Sequence, residues 1–167
     1  EHADIVFTSL TKIFSGSGDI LAGSLILNPK SKWIDQFRNA LNEINLPTLS
    51  DGDTVYLEKV SRDVNQRVFE QNKACLELKK RLETHSEIKN IFHPENCPNF
   101  NSLLTSDGGY GCLLSFELNG GLNKAKKFYD SLQVSKGPSL GTKFTLVCPY
   151  VLLAHYDELD WAESFGI

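Results

Sequence analysis

The chain of 167 residues contains no methionine, so it has no initiator and is expected to be a processed chain or a fragment. No apolar run approaches the roughly 20 residues needed to cross a bilayer. The start, Glu1-His2, turns polar by Thr8 and does not read as a secretory leader. A formal charge of −4 and the lack of any basic run argue against a nucleic-acid surface. The four cysteines, Cys75, Cys97, Cys112 and Cys148, form no CxxC pair. They are expected to be reduced core thiols of a cytoplasmic protein. Internal repeats and low-complexity tracts are also missing. What is present is a globular balance: 41% hydrophobic and 23% charged residues supply enough apolar surface for a core.

Ala3 to Ser9 is β-branched and aromatic, too short for a helix, and followed by breakers, which predicts a strand. Ile20 to Leu27 predicts a second, halted by Asn28-Pro29. Ser31 is expected to cap a helix that keeps Trp33, Ile34, Phe37, Leu41 and Ile44 on one face, ending at Leu46-Pro47. Asp53 is expected to cap a helix of about 30 residues, about 45 Å long. Its stripe would be Leu57, Val60, Val64, Val68, Cys75, Leu78 and Leu82. After Ser86, "EIKNIF" and "GCLLSFEL" predict strands, separated by a polar loop from Pro94 to Gly111. Leu122 to Leu132 predicts a helix. The apolar run "KFTLVCPYVLLAHY" has no decisive period. The class is therefore α/β, with expected parts 1–49, a linking helix over 50–85, and a strand-rich α/β part over 86–167.

The stretch "SLTKIFSGSGDILAG" carries the most chemistry. A lysine beside glycines suggests a phosphate-binding loop, but that motif needs its glycines before the lysine and a hydroxyl directly after it. Here Thr11 precedes Lys12, and Gly16, Gly18 and Gly23 follow, so the order is wrong. The alternative has Ser9 and Thr11 offering hydroxyls to a phosphate while Lys12 forms an imine, which requires a neutral amine. On local chemistry alone, a surface lysine in a Ser/Gly turn is the commoner explanation.

In spacing, the same stretch resembles the lysine motif of the Cys/Met-metabolism pyridoxal phosphate (PLP) enzymes, S-x-T-K-x-x-x-G-H-S-D-x-x-x-G. Ser9, Thr11, Lys12, Gly16, Asp19 and Gly23 fall in register; Ser17 replaces the usual histidine and Gly18 the usual serine. Further on, Asn72, Leu82, His85, Ile88, Ile91 and Pro94 resemble the family's long-helix and strand pattern. "GCLLSFEL" resembles its G-x-x-x-S-F-x-L strand through Ser115 and Phe116. "PSLGTKFTLVCPYVLLAH" resembles its S-L-G segment, with His155 at the family's distance from Ser139 and Pro149 shifted by one. "SRD" at Ser61 to Asp63 looks like the fungal cystathionine γ-synthase branch.

The resemblance implies a fold-type I PLP-dependent transferase. Residues 1–49 would be the end of its large domain, and 86–167 an incomplete small domain. It implies that Lys12 holds PLP through an imine, that Ser9 and Thr11 bind the cofactor phosphate, and that Ser139 lies where the substrate's amino-acid head group docks. The implied reaction is γ-replacement of an O-acylhomoserine by cysteine, with sulfhydrylase and lyase relatives as alternatives. A homo-oligomer is implied too. The family's pyridine-nitrogen aspartate, stacking tyrosine and phosphate-gripping glycine loop would precede residue 1, and its carboxylate-binding arginine would follow "ESFGI". The segment alone is therefore expected to be inactive. A catalytically dead homologue serving as a dimerising or interaction module is the rival from another class.

Weaker candidates remain. His93 and Cys97 stand four apart, but no second pair completes a zinc site, so no metal is expected. His155 as a general base is set against a hydrogen-bonded structural histidine. "DELDWAE" reads as a solvated helix face, and "GGYG" as a turn.

Overall fold

The computed structural model describes residues 3–44 and 46–165. Glu1 and His2, which bear on the leader question, lie outside the described residues. The chain divides between Val64 and Asn65 into two compact units.

The first unit opens with a hairpin of β1 (Ile5–Ser9) and β2 (Gly23–Leu27). The pair is antiparallel and in register from Ile5↔Leu27 to Ser9↔Gly23. Both strands are shorter than expected at their N-terminal ends. Residues 20–22 run up to the ladder, tied instead by Leu10 N–H donating to Ala22 O at 2.9 Å. Asn28 ends β2 by turning its amide back onto Ala3 O (2.9 Å) and accepting from Lys30 N (2.9 Å), an Asx turn that competes with further pairing. Every residue of β1 is exposed, and Phe7 reaches 82%. The buried apolar positions of this unit are Ile20 and Leu57.

Ser31 accepts from Trp33 N (3.1 Å) and donates to Asp4 Oδ1 (2.6 Å). Helix α1 (Ile34–Glu43) follows. Ile34, Phe37 and Leu41 are half-buried along one face. Trp33 and Ile44 fall just outside the helix and are exposed, with Lys32 Nζ 4.9 Å from the centre of the Trp33 ring.

The expected long helix is two. In α2 (Asp51–Ser61) the cap is Ser50 rather than Asp53: its hydroxyl accepts from Asp53 N at 3.0 Å and donates to the Asp53 carboxylate at 2.9 Å, a side-chain N-cap. The break comes at Arg62-Asp63, before α3 (Val64–Glu83). Ser61 donates its hydroxyl to Glu58 O (3.1 Å), and such local bonds compete with the helical ladder. Arg62 closes the end by a two-pronged contact with the Glu58 carboxylate, 2.9 Å for each bond. The break also re-phases the predicted stripe. On α3 the buried residues are Cys75 and Lys79, whereas Val68 and Leu78 are exposed.

The second unit pairs β3 (Ile88–Phe92) antiparallel with β4 (Ser115–Leu118), with one irregularity between Ile88 and Asn90. Helix α5 (Gly121–Ser131) packs on β4 through an edge-on Phe116–Phe128 contact at 5.9 Å. A single 3-10 turn (Pro94–Asn96) leads into α4 (Pro98–Leu103). The ambiguous apolar run resolves into both states. It contains β6 (Leu146–Val147), parallel to β5 (Ser135–Lys136), and then α6 (Tyr150–Ala154), which begins after Pro149. Proline ends pairing and fits a helix start. The acidic tail forms α7 (Leu159–Ser164), solvated except for buried Ala162. Its Trp161 ring lies 5.6 Å from His155 and 4.9 Å from Phe165.

All four cysteines are free thiols, but they do not share one environment: Cys75 is buried, Cys112 and Cys148 are intermediate, and Cys97 is exposed. Cys97 is thus not a core residue, because it stands at the mouth of the short helix α4. Burial pushes the Cys75 and Cys112 thiols up, which keeps them protonated. Among the described residues no helix is long and apolar enough to cross a membrane.

Candidate functional site

At the end of β1 the chain turns sharply through Leu10–Phe14. The turn is one residue wider than an α-helical one, with Ser15 N donating to Leu10 O at 3.0 Å, and it closes on an α-type bond from Gly16 N to Lys12 O at 2.8 Å. Lys12 itself leaves helical geometry (φ −86°, ψ −118°), so the turn does not propagate. Three residues with hydrogen-bonding or nucleophilic side chains are thereby gathered at one strand end. Ser9 is exposed, Thr11 is buried, and Lys12 is half-buried. Thr11 Oγ1 accepts from Ala22 N (3.2 Å), while its contact with Ala22 O is long, 3.5 Å. Its hydroxyl proton is consequently only weakly engaged.

The turn is stapled from inside by Ser15, which is 0% exposed. Its hydroxyl donates to Thr11 O (2.8 Å) and accepts from Ser17 N (3.4 Å). Gly16 and Gly18 both adopt positive φ, +72° and +73°. A side chain on Gly18 would meet nothing within 4 Å, so there the glycine serves the backbone conformation rather than space. From α2, Tyr56 Oη donates to Asp19 Oδ2. The Asp19 carboxylate pushes the Tyr56 phenol above its ordinary range.

Ser139 lies in the second unit, half-buried on the connection between β5 and β6. Its loop is held by Gly137 N donating to Val147 O (3.1 Å), by Thr142 Oγ1 donating to Phe144 O (2.6 Å), and by Gln71 Nε2 donating to Thr142 O (2.8 Å).

The other candidates have structural partners. His93 is buried; its Nδ1 accepts from Glu95 N (3.3 Å), and Nε2 has no hydrogen-bond partner. Burial pushes its pKa down. Beside it, buried Lys79 bridges Glu83 (2.6 Å) and Glu95 (2.9 Å). His155 pairs with Glu158 (2.7 Å) and packs against Tyr150 and Trp161. The "GGYG" turn is anchored by Asn72 Oδ1, which accepts from Tyr110 N (2.8 Å) and Gly111 N (3.1 Å). Among the described residues no three His, Cys, Asp or Glu side chains gather as a metal site.

Sequence reasoning missed Ser15 and Tyr56. Ser15 sits in a Ser/Gly string that reads as uniformly flexible. Tyr56 lies 37 residues from Asp19, beyond the reach of any local pattern.

The model of the Cys/Met metabolism PLP-dependent enzyme family matches residues 1–157. A cystathionine γ-synthase of Neurospora crassa is 39% identical over 170 residues, covering 100% of this chain and 27% of that protein. A solved cystathionine γ-lyase from Micromonospora echinospora superposes with a TM-score of 0.79 at 22% identity, over 99% of this chain and 44% of the other. The cystathionine γ-synthase of Xanthomonas oryzae pv. oryzae, solved with aminoacrylate and cysteine, gives a TM-score of 0.75 at 23% identity, over 93% and 40%. The chain thus has the fold-type I architecture of these enzymes and spans about a quarter of the length of the curated relative.

Proposed function

Because the chain belongs to the Cys/Met metabolism PLP-dependent enzyme family, we propose that it is the lysine-bearing part of a cystathionine γ-synthase-type transferase. The observation that carries this reading is the strand-end turn, where two hydroxyls and one primary amine meet within four residues. That donor set fits a phosphorylated aldehyde. Ser9, exposed at the last position of β1, and Thr11, with its weakly engaged proton, are the groups to donate to the phosphate. Lys12 is the amine that would hold the cofactor through its aldehyde carbon. PLP supplies an electron sink once bound.

Lys12 then serves as the base that takes the substrate's α-proton and returns protons along the carbon chain. In the overall exchange an O-acylhomoserine loses its acyl group as a carboxylate, and the thiol sulfur of cysteine bonds to the γ-carbon, giving cystathionine. Ser139 is the proposed contact for the substrate's amino-acid head group. Residues 1–49 belong in this reading to the large domain, 50–85 to the connection, and 86–167 to the small domain of a cytoplasmic homo-oligomer. The remaining groups of the site come from the rest of the full-length protein, so the segment alone is expected to be inactive.

The test is spectroscopic. The full-length protein reconstituted with PLP should show a visible imine band, and borohydride should fix a pyridoxyl group on Lys12, detectable by peptide mass spectrometry. Lys12→Ala should abolish both. A band that survives the substitution, or a pyridoxyl group on another residue, would overturn the assignment.

A further inference from the structure

The turn that bears Lys12 is followed by a loop poor in side-chain bracing, since Gly16 and Gly18 flank Ser17 with positive φ. Such a segment has more backbone freedom to lose than any other sequence would. Something outside it must hold it, and the contacts converge on one residue. Tyr56 of α2 reaches the loop at Asp19, donating to its carboxylate. Two residues before Asp19, the Ser17 N–H donates to Ser15 Oγ (3.4 Å), and Ser15 Oγ donates to Thr11 O (2.8 Å). Gly16 N meanwhile holds Lys12 O at 2.8 Å. The loop that Tyr56 holds at Asp19 is thus also tied, through Ser15 and Gly16, to the peptide groups on either side of the reactive amine.

We propose that Tyr56 is a positioning residue for Lys12, bracing the lysine turn from α2 through Asp19. This rests on the reading of Lys12 as the PLP-binding lysine. The carboxylate beside it keeps the phenol protonated, so the brace persists through neutral and mildly alkaline pH. Its effect falls on how often the amine stands in reacting geometry, which alters cofactor affinity and turnover rather than substrate capture.

The experiment uses the full-length protein with Tyr56→Phe, Asp19→Ala and the double variant. PLP affinity is measured by equilibrium dialysis of the apoprotein, and kcat and KM are measured separately. Tyr56→Phe should raise the PLP Kd about fivefold and lower kcat by a similar factor, as expected for loss of one solvent-exposed hydrogen bond, with KM for the amino-acid substrate changed less than about twofold. Asp19→Ala should do the same, and the double variant should be no worse than either single one, because both remove the same link. A general loss of packing would not separate kcat from KM in this way. Should Tyr56→Phe fail to fold, Asp19→Ala decides the matter by the same measurements. Unchanged Kd and kcat, or single effects that multiply in the double variant, overturn the proposal. Lys12→Ala separates the two layers. If it loses the visible band while Tyr56→Phe behaves as wild type, only the brace is refuted; if it keeps the band, the underlying reading falls.

Discussion

Lys79→Met should loosen the 3-10 turn after β3, and the structure sets the size of the effect. The ammonium is buried, 5% exposed, and makes charge-assisted bonds to Glu83 at 2.6 Å and Glu95 at 2.9 Å. Each would be worth about 1.5–3 kcal/mol if its carboxylate were shielded. The carboxylates keep 46% and 37% of their side-chain exposure, so water screens both and receives them when the lysine is gone. Methionine retains the apolar stem, and the net loss is about 2 kcal/mol after that discount. The assay is native-state hydrogen exchange at Asn96 and Cys97, whose amides donate to His93 O (3.0 Å) and Pro94 O (2.9 Å). Their protection should fall about thirtyfold, the factor equivalent to that free energy. Lys79 holds the Glu95 carboxyl below the usual carboxylate range. The contribution is therefore present above that range and lost as pH falls through the lowered value. At the other end, the two carboxylates hold Lys79 above its usual range, so the contribution persists until pH rises through the raised value. The difference between wild type and variant should be flat near neutrality and vanish in acid. A change in protection below about threefold at pH 7 would mean that water screens the two carboxylates far more fully than their exposure implies, and would refute the reasoning.

Asn72→Ala leaves two half-buried amides, those of Tyr110 and Gly111, without their acceptor; urea unfolding should register a loss of about 2 kcal/mol. Burial lowers the pKa of His93, so the folded state resists its protonation and stability drops as pH falls below the ordinary imidazole range. His93→Phe should flatten that loss between about pH 7 and about pH 5, read as unfolding midpoints across pH.

Much of the architecture was legible because it is written in local chemistry. The β-branched run of β1, the Asn28-Pro29 stop and the helix before Leu46-Pro47 each follow from short-range preference. The lysine turn was legible through spacing, as Thr11 and Lys12 sit in a motif whose order excludes a phosphate loop of the other kind. What escaped is non-local. The single long helix failed at Arg62-Asp63 because a serine hydroxyl took a backbone acceptor at the end of α2, an event that periodicity does not register. Buried Lys79 escaped because its burial depends on Glu95, reached only after the chain has passed through β3. Ser15 was hidden by its setting: a small hydroxyl among glycines looks mobile until the turn closes over it.

The chain holds two tryptophans, and they fall one to each unit: Trp33 at the start of α1, beneath Lys32, and Trp161 in α7, against His155. The chain therefore carries an intrinsic optical label in each half. Replacing either indole by phenylalanine leaves emission from the other alone, so the melting of each half can be followed by fluorescence without an attached dye.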